Sequence, residues 1–311
     1  MPSISLIVNT YEGAEVLPRA LRSVLAQDLT DVEVVVADDG SSRSPEALVR
    51  AEFPDAPLTV VTHPNGGLSA ARNLGLRAAG GDFVWFLDDD DELLPGAVET
   101  LRSLVVDGVG VVSGAAEVVH DGTDLAPELA LPRDQGPETE HQVVCNLAGS
   151  WMVARDVLDA VGGFDEDLRC NHQREMFLRV LPWCVERGRP VVSTTDAVVR
   201  IHRQPPSARP RNDPARLQGC LEHLLDKHGD RIARNPRALA SLHASAGVAA
   251  ARNGRPADAR AHFVASLRAE PRQPRTLGRL ALTAIPPLAR RVWGAAPSRP
   301  AHAPSATRSS S

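Results

Sequence analysis

The sequence predicts an α/β fold built on a mostly parallel sheet with helices on both faces, and three observations predict it. Apolar, β-branched runs recur along the chain: ISLIVNT (4–10), VEVVVADD (32–39), LTVVTHP (58–64), FVWFLDD (83–89) and VGVVSG (109–114). Segments of helical periodicity separate them. Four of the runs end in polar clusters, and the carboxyl ends of strands are where open α/β sheets gather ligand-binding groups.

The runs are continuous rather than alternating, which fits strands covered on both faces. After the first, Leu17, Leu21, Val24 and Leu25 share one helical face at i, i+4, i+7 and i+8. After the third, Leu68, Ala71, Leu74 and Ala78 keep the same kind of spacing. The helix beyond the fourth is entered through Pro95, a residue suited to a first turn. Such strand–helix–strand repeats imply right-handed crossovers. Residues 120–142 are polar and Pro-rich and read as a long loop. Beyond Pro205-Pro206 the character turns helical, in ARLQGCLEHLLDKHG, PRALASLHASAGVAAARNG and PADARAHFVASLRAEP. The last two resemble one tetratricopeptide-like helix pair, too few copies to stack as a solenoid. The expected organisation is a sheet domain over residues 1–207, a helical appendage over 208–295 and a disordered tail over 296–311.

Composition narrows the function. The chain has 311 residues, 43% hydrophobic and 23% charged, enough for a large core. A formal charge of −5 argues against a nucleic-acid binder. Lys227 is the only lysine, which discounts a phospho-receiver domain, whose chemistry needs a lysine in the sheet region. Cys145, Cys170, Cys184 and Cys220 show no C-x-x-C spacing, so neither a zinc site nor a redox pair is expected. MPSISLIVNT has no basic leader, and no apolar run reaches the roughly 18 residues a membrane span needs. A cytoplasmic protein is the expectation. After Glu270 there are arginines and no acids; LGRLALTAIPPLARRVW is apolar with basic punctuation and reads either as a surface for an anionic membrane or as a docking helix.

The strand ends carry the chemistry. They are Asn9-Thr10-Tyr11-Glu12, Asp38-Asp39-Gly40-Ser41-Ser42, His63-Pro64-Asn65-Gly66-Gly67 and the run Asp88 to Asp91. Singly, residues 38–42 and 65–67 also read as turns. The aspartate run is harder to dismiss, because a helix cap needs one acceptor rather than four. Two carboxylates about 4 Å apart repel by roughly 4 kcal/mol at an effective dielectric near 20. A hard divalent cation removes that cost, and Mg²⁺ commonly combines one or two carboxylates with substrate phosphates. The run therefore reads as a site for Mg²⁺ or Mn²⁺ carrying a diphosphate.

Taken in order, VNTYEGAEVLPRALRSVLAQ, VVVADDGSS, NGGLSAARNLGLRAAGGDFVWFLDDDDELLPGAVE, VGGFDEDL and RIHRQPPS resemble a family 2 glycosyltransferase of the GT-A fold, over roughly residues 3 to 207. The resemblance implies a nucleoside-diphosphate sugar donor and a saccharide, lipid-linked or other hydroxyl acceptor. It places Thr10, Tyr11 and Glu12 in the nucleotide loop, Asp39 on the base, Arg72 near base and phosphates, Asp88 and Asp89 near the ribose, and Asp90 and His202 on the metal. Asn9 and Glu12 stand where the family usually has proline and asparagine. A larger departure follows Gly162-Gly163-Phe164-Asp165-Glu166. The family's Glu-Asp pair, whose aspartate is the general base, aligns with His172-Gln173. Glutamine cannot accept a proton usefully; His172 can. His172 is the expected base, with Glu175 the other nearby group. The same departure leaves open a non-catalytic, sugar-nucleotide-binding protein.

Overall fold

The computed structural model describes residues 2–203 and 213–294. The expected boundary at 207/208, the Gln204–Ser207 end of RIHRQPPS and the tail lie outside them. In chain order come β1 (Ile4–Thr10), α1 (Leu17–Leu25), β2 (Val32–Asp38), α2 (Pro45–Glu52), β3 (Leu58–Thr62), α3 (Leu68–Ala78) and β4 (Phe83–Asp88). Next are β5 (Glu92–Leu93), α4 (Ala97–Ser103), β6 (Val111–His120), β7 (Glu128–Ala130), β8 (Arg133–Asp134) and β9 (Val143–Val144). Then come β10 (Trp151–Ala154), α5 (Arg155–Val161), α6 (His172–Glu186), β11 (Val191–Arg203) and α7 (Pro214–Ile232). The helices α8 (Pro236–Arg252), α9 (Pro256–Ala269), α10 (Pro274–Leu282) and α11 (Pro286–Trp293) follow. Contacts divide the described residues into two units, 2–203 with 222–236, and 213–221 with 237–294.

The first unit is an α/β layer structure on a sheet of order β3-β2-β1-β4-β10-β6-β11-β5, with β7 added to β6. β1 to β4 run parallel; β10 is antiparallel between β4 and β6, and β11 is parallel to β6. The chain reverses direction across the sheet between β1 and β4, the topological switch point where ligands bind in such folds. Register aligns the polar strand ends: Thr10 beside Asp38, Asp38 beside Thr62, and Asn9 beside Asp88. Ile4, Leu6, Ile7 and Val8 are fully buried, each worth about 1.5–3 kcal/mol against an exposed position. Phe86 meets Phe164 edge-on at 5.0 Å, and Trp151 lies 5.0 Å from Phe177, so aromatic packing fixes β4, β10 and α6 together.

Several details differ from the pattern reading. α4 begins at Ala97 behind Gly96 (φ 77), so Pro95 lies in the turn before the helix. α3 buries Ser69, Arg72 and Asn73, while Leu74 is only half-buried and Ala78 is exposed. Its polar face points inward because Arg72, Asn73 and Ser69 meet Asp88, Phe164 and His172. Gly75 permits this approach, since a Cβ there would overlap Ile7. Residues 120–142 hold β7 and β8 rather than a plain loop; strands of two or three residues are too short for periodicity to register.

In the second unit α8 and α9 pack through Phe263, Ala259 and Ala250. Gly247 makes room, because a Cβ would overlap the Phe263 ring. Ser266 Oγ donates to Ala240 O at 2.7 Å. Proline begins all five helices from α7 to α11, where its missing N–H costs nothing.

Candidate active site

Side chains tie the strand-end loops to one another. Glu12 (φ 54) donates its N–H to Ser41 Oγ at 2.8 Å. Its carboxylate accepts from the Ser42 N–H and hydroxyl, both at 2.8 Å, which hold its pKa below the ordinary value. Asp38 accepts from Ser41 N–H and Oγ. Asp39, 4% exposed, accepts from Gly66 N–H at 2.8 Å and from Gly67 N–H through both oxygens, with His63 Nε2 at 3.3 Å. Asp39 thus holds the 65–67 turn, and a carboxylate with about four lone-pair sites still has capacity for a base. Tyr11, 52% exposed, stands beyond Thr10 at the rim.

The four aspartates have four different surroundings. Asp88 pairs with Arg72 Nη2 at 2.8 Å. Arg72 is 1% exposed and its guanidinium lies 5.1 Å from the Phe164 ring. Its Nε and Nη1 are buried without a hydrogen-bond partner among the described residues. Asp89 accepts from Thr10 Oγ1 at 2.6 Å, and a Cβ on Gly13 would overlap its carboxylate. Burial, reinforced by Asp90 and Asp88, pushes the Asp89 carboxyl up to about 7. The Asp90 main-chain carbonyl accepts from Arg19. Asp91, 3% exposed, accepts from the His202 N–H at 2.9 Å; burial, then Asp88 and Asp90, raises it well above the ordinary value.

No three His, Cys, Asp or Glu side chains among the described residues are disposed to hold a metal by themselves. The donor set still suits a hard cation: its carboxylates repel one another, and one or two are enough when a diphosphate supplies further oxygens. His202 sits in a carboxylate clamp, with Nδ1 2.9 Å from Asp121 and Nε2 2.7 Å from Glu92. Both ring nitrogens are thus engaged, and ligation by His202 requires Glu92 or Asp121 to give way.

The helix α6 is anchored separately. His172 opens α6 behind Asn171 (φ 60), is 8% exposed, and has Nδ1 2.8 Å from Ser69 Oγ. Glu175 is 0% exposed and is ringed by hydrogen-bond donors: Arg179, Lys227 at 2.9 Å and His228 at 3.0 Å. Burial would raise its pKa, but bonds from His228, Arg179 and Lys227 outweigh it and hold the carboxyl far below the ordinary range. A carboxylate so placed is a structural anchor rather than a base. Lys227 also reaches Asp165, and Asn73 fixes the Phe164 backbone by accepting its N–H and donating to its carbonyl. Pairwise patterns could not have found these partners: Ser69 and His172 are 103 positions apart, Glu92 and His202 110.

Glu175→Gln should destabilise the first unit by about 3–5 kcal/mol, the cost of stripping one partner from a buried ion pair. The depressed carboxyl contributes stability above its ordinary pKa of 4.5, and that contribution is lost as pH falls below it. Denaturant melts at pH 7 and pH 3 should show a large gap between wild type and variant at pH 7 and a smaller one at pH 3.

A family model described as "Glycosyl transferase family 2" matches residues 5–162. The chain belongs to that family. It is 37% identical over 158 residues to a Campylobacter jejuni GalNAc(5)-diNAcBac-PP-undecaprenol beta-1,3-glucosyltransferase, covering 49% of this chain and 51% of that protein. The chain thus spans about half the length of that relative. Crystallised Staphylococcus aureus TarS 1-349 in complex with UDP superposes with a TM-score of 0.56 at 17% identity, covering 88% of this chain and 93% of TarS 1-349. The mannosyltransferase PcManGT of Pyrobaculum calidifontis, solved with GDP-Man and Mn²⁺, gives 0.51 at 21%, covering 94% and 83%. The fold is GT-A.

Proposed function

We propose that this chain is a metal-dependent, inverting glycosyltransferase moving a sugar from a nucleoside-diphosphate sugar to an acceptor hydroxyl, in polysaccharide or glycoconjugate synthesis. The observation that carries the reading is the aspartate run at the β1/β4 switch point, set against the buried Arg72 that pairs with Asp88. In this reading Thr10, Tyr11, Glu12 and Asp39 hold the nucleoside, Asp88 and Asp89 face the ribose, and Arg72 faces the diphosphate. Asp90 holds Mg²⁺ or Mn²⁺, with His202 joining once Glu92 releases it. The cation supplies charge neutralisation for the departing diphosphate. His172 takes the proton of the acceptor hydroxyl; its oxygen forms the new bond to the anomeric carbon from the face opposite the breaking bond to the diphosphate oxygen. The anomer inverts and the nucleoside diphosphate leaves.

The name of the Campylobacter relative supports a lipid-linked acceptor. So does the exposed apolar and basic end of the chain: Leu277, Ile285, Leu288 and Val292 are exposed, alongside Arg272, Arg275 and Arg291. No helix among the described residues is long and apolar enough to cross a membrane. At about 1 kcal/mol per arginine near an anionic surface, the protein should co-sediment with phosphatidylglycerol vesicles at low salt, release at high salt, and ignore phosphatidylcholine. Equal binding to both would remove the membrane from the account.

A second reading, binding without transfer, is favoured by Gln173 at the expected base position and by the sequestered Glu175. Thermal stabilisation across a panel of nucleotide sugars, with and without Mn²⁺, tests the shared donor site. Stabilisation by none of them would defeat both readings.

A further inference from the structure

An arginine keeps its charge when buried, and charge taken out of water is costly unless it is compensated. Arg72 meets the Asp88 carboxylate at one corner, through Nη2. An aromatic face bears on its centre: the guanidinium carbon stands 5.1 Å over the ring of Phe164. Ring quadrupoles attract cations at this range, most strongly where water is excluded. Phe164 is itself fixed from three sides. Asn73, the residue after Arg72 on α3, accepts the Phe164 N–H at 2.8 Å and donates to its carbonyl at 2.9 Å, so both main-chain groups go to one side chain. The next residue, Asp165, is tied to α7 by Lys227 and His223. The ring, 3% exposed, meets Phe86 edge-on, two residues before Asp88 on β4. Phe164 is thus bound to the helix that carries the cation and to the strand that carries its carboxylate.

We propose that Phe164 is the positioning residue for Arg72: its ring face holds the guanidinium beside Asp88, at the β1/β4 switch point, in place for the diphosphate of the donor. This rests on the reading of Arg72 as the group that faces the diphosphate. The chemistry explains why the platform is aromatic. A second carboxylate would also compensate the buried cation, but it would compete with an arriving diphosphate and repel it. A ring face carries no net charge. It attracts the guanidinium through its quadrupole and keeps that contact whether Arg72 is engaged with Asp88 or with an incoming anion. An aliphatic side chain of similar volume would fill the same space and answer no charge.

The test places a series of fluorinated phenylalanines at position 164 of the full-length protein. Fluorine keeps the shape of the ring while draining charge from its face. Calorimetry with UDP and with GDP, each with Mn²⁺, reads the affinity. It should fall stepwise with each added fluorine, by about 5–30-fold at the end of the series, the range of a desolvated cation–π contact. The same series in Arg72→Met should be flat, because the ring then has no cation to hold. The monofluorinated ring, closest in volume to phenylalanine, keeps the test open should the most heavily fluorinated protein fail to fold. A flat series in the wild-type background, beside weakened binding in Arg72→Met, overturns the proposal and leaves Arg72 its role. An equal decline in the Arg72→Met background also overturns it, since the ring would then act through packing alone. Wild-type affinity in Arg72→Met, or binding of neither diphosphate to the wild type, would instead remove the reading on which it rests.

Discussion

Asp90→Ala should abolish the ability of Mn²⁺ to strengthen nucleoside-diphosphate binding and lower turnover by at least about 10²–10³-fold, the scale for removing one preorganised charge-stabilising group. Among the aspartates, Asp88 is paired with Arg72, Asp89 is bonded to Thr10, and Asp91 holds the His202 N–H. In this account the Asp90 carboxylate holds the cation. Calorimetry with the diphosphate alone should give similar affinities for wild type and variant, and the difference should emerge on adding metal. The neighbouring group sets a pH dependence. Between its ordinary 3.8 and about 7, Asp89 keeps a proton in the folded, metal-free protein that the unfolded chain has lost. The metal-free protein therefore loses stability as pH rises through that window. A cation beside Asp89 expels the proton, so affinity for metal with diphosphate should rise with pH up to about 7 and then level off. A flat profile would place the cation elsewhere.

His172→Ala should lower kcat by about 10²–10⁴-fold, the usual worth of a general base, and leave nucleotide-sugar binding near normal. Glu175 cannot take over, because Arg179, Lys227 and His228 fix it as a buried anion. The pH–rate profile gives an independent check. A histidine base puts the acid limb roughly two pH units above that of an ordinary carboxylate. Glu175→Gln should affect stability more than the shape of that profile. The opposite pattern, wild-type kcat in His172→Ala, would return the site to a binding role.

What the sequence disclosed follows from range. β1, β2 and β4 are continuous apolar runs, and their composition alone marks them as covered strands. Their polar ends fall at one edge because parallel register puts Thr10 beside Asp38 and Asn9 beside Asp88. β10 is only four residues long, and β11 breaks register near Ala197, so alternation slips phase there and leaves no readable period. The inward polar face of α3 contradicts its apolar spacing, since Arg72 and Asn73 are buried for what they hold rather than for their hydrophobicity. The clamp on His202 and the contact of Ser69 with His172 join residues far apart in sequence, and only the fold brings them together.

The most direct measurement is ¹H NMR of the sugar during turnover of an accepted nucleotide sugar with Mn²⁺ and a hydroxyl acceptor. The account predicts release of the nucleoside diphosphate and a product with inverted anomeric configuration, dependent on metal and lost in both Asp90→Ala and His172→Ala. A product of retained configuration, or nucleotide-sugar binding without any transfer across the acceptors tried, would contradict it.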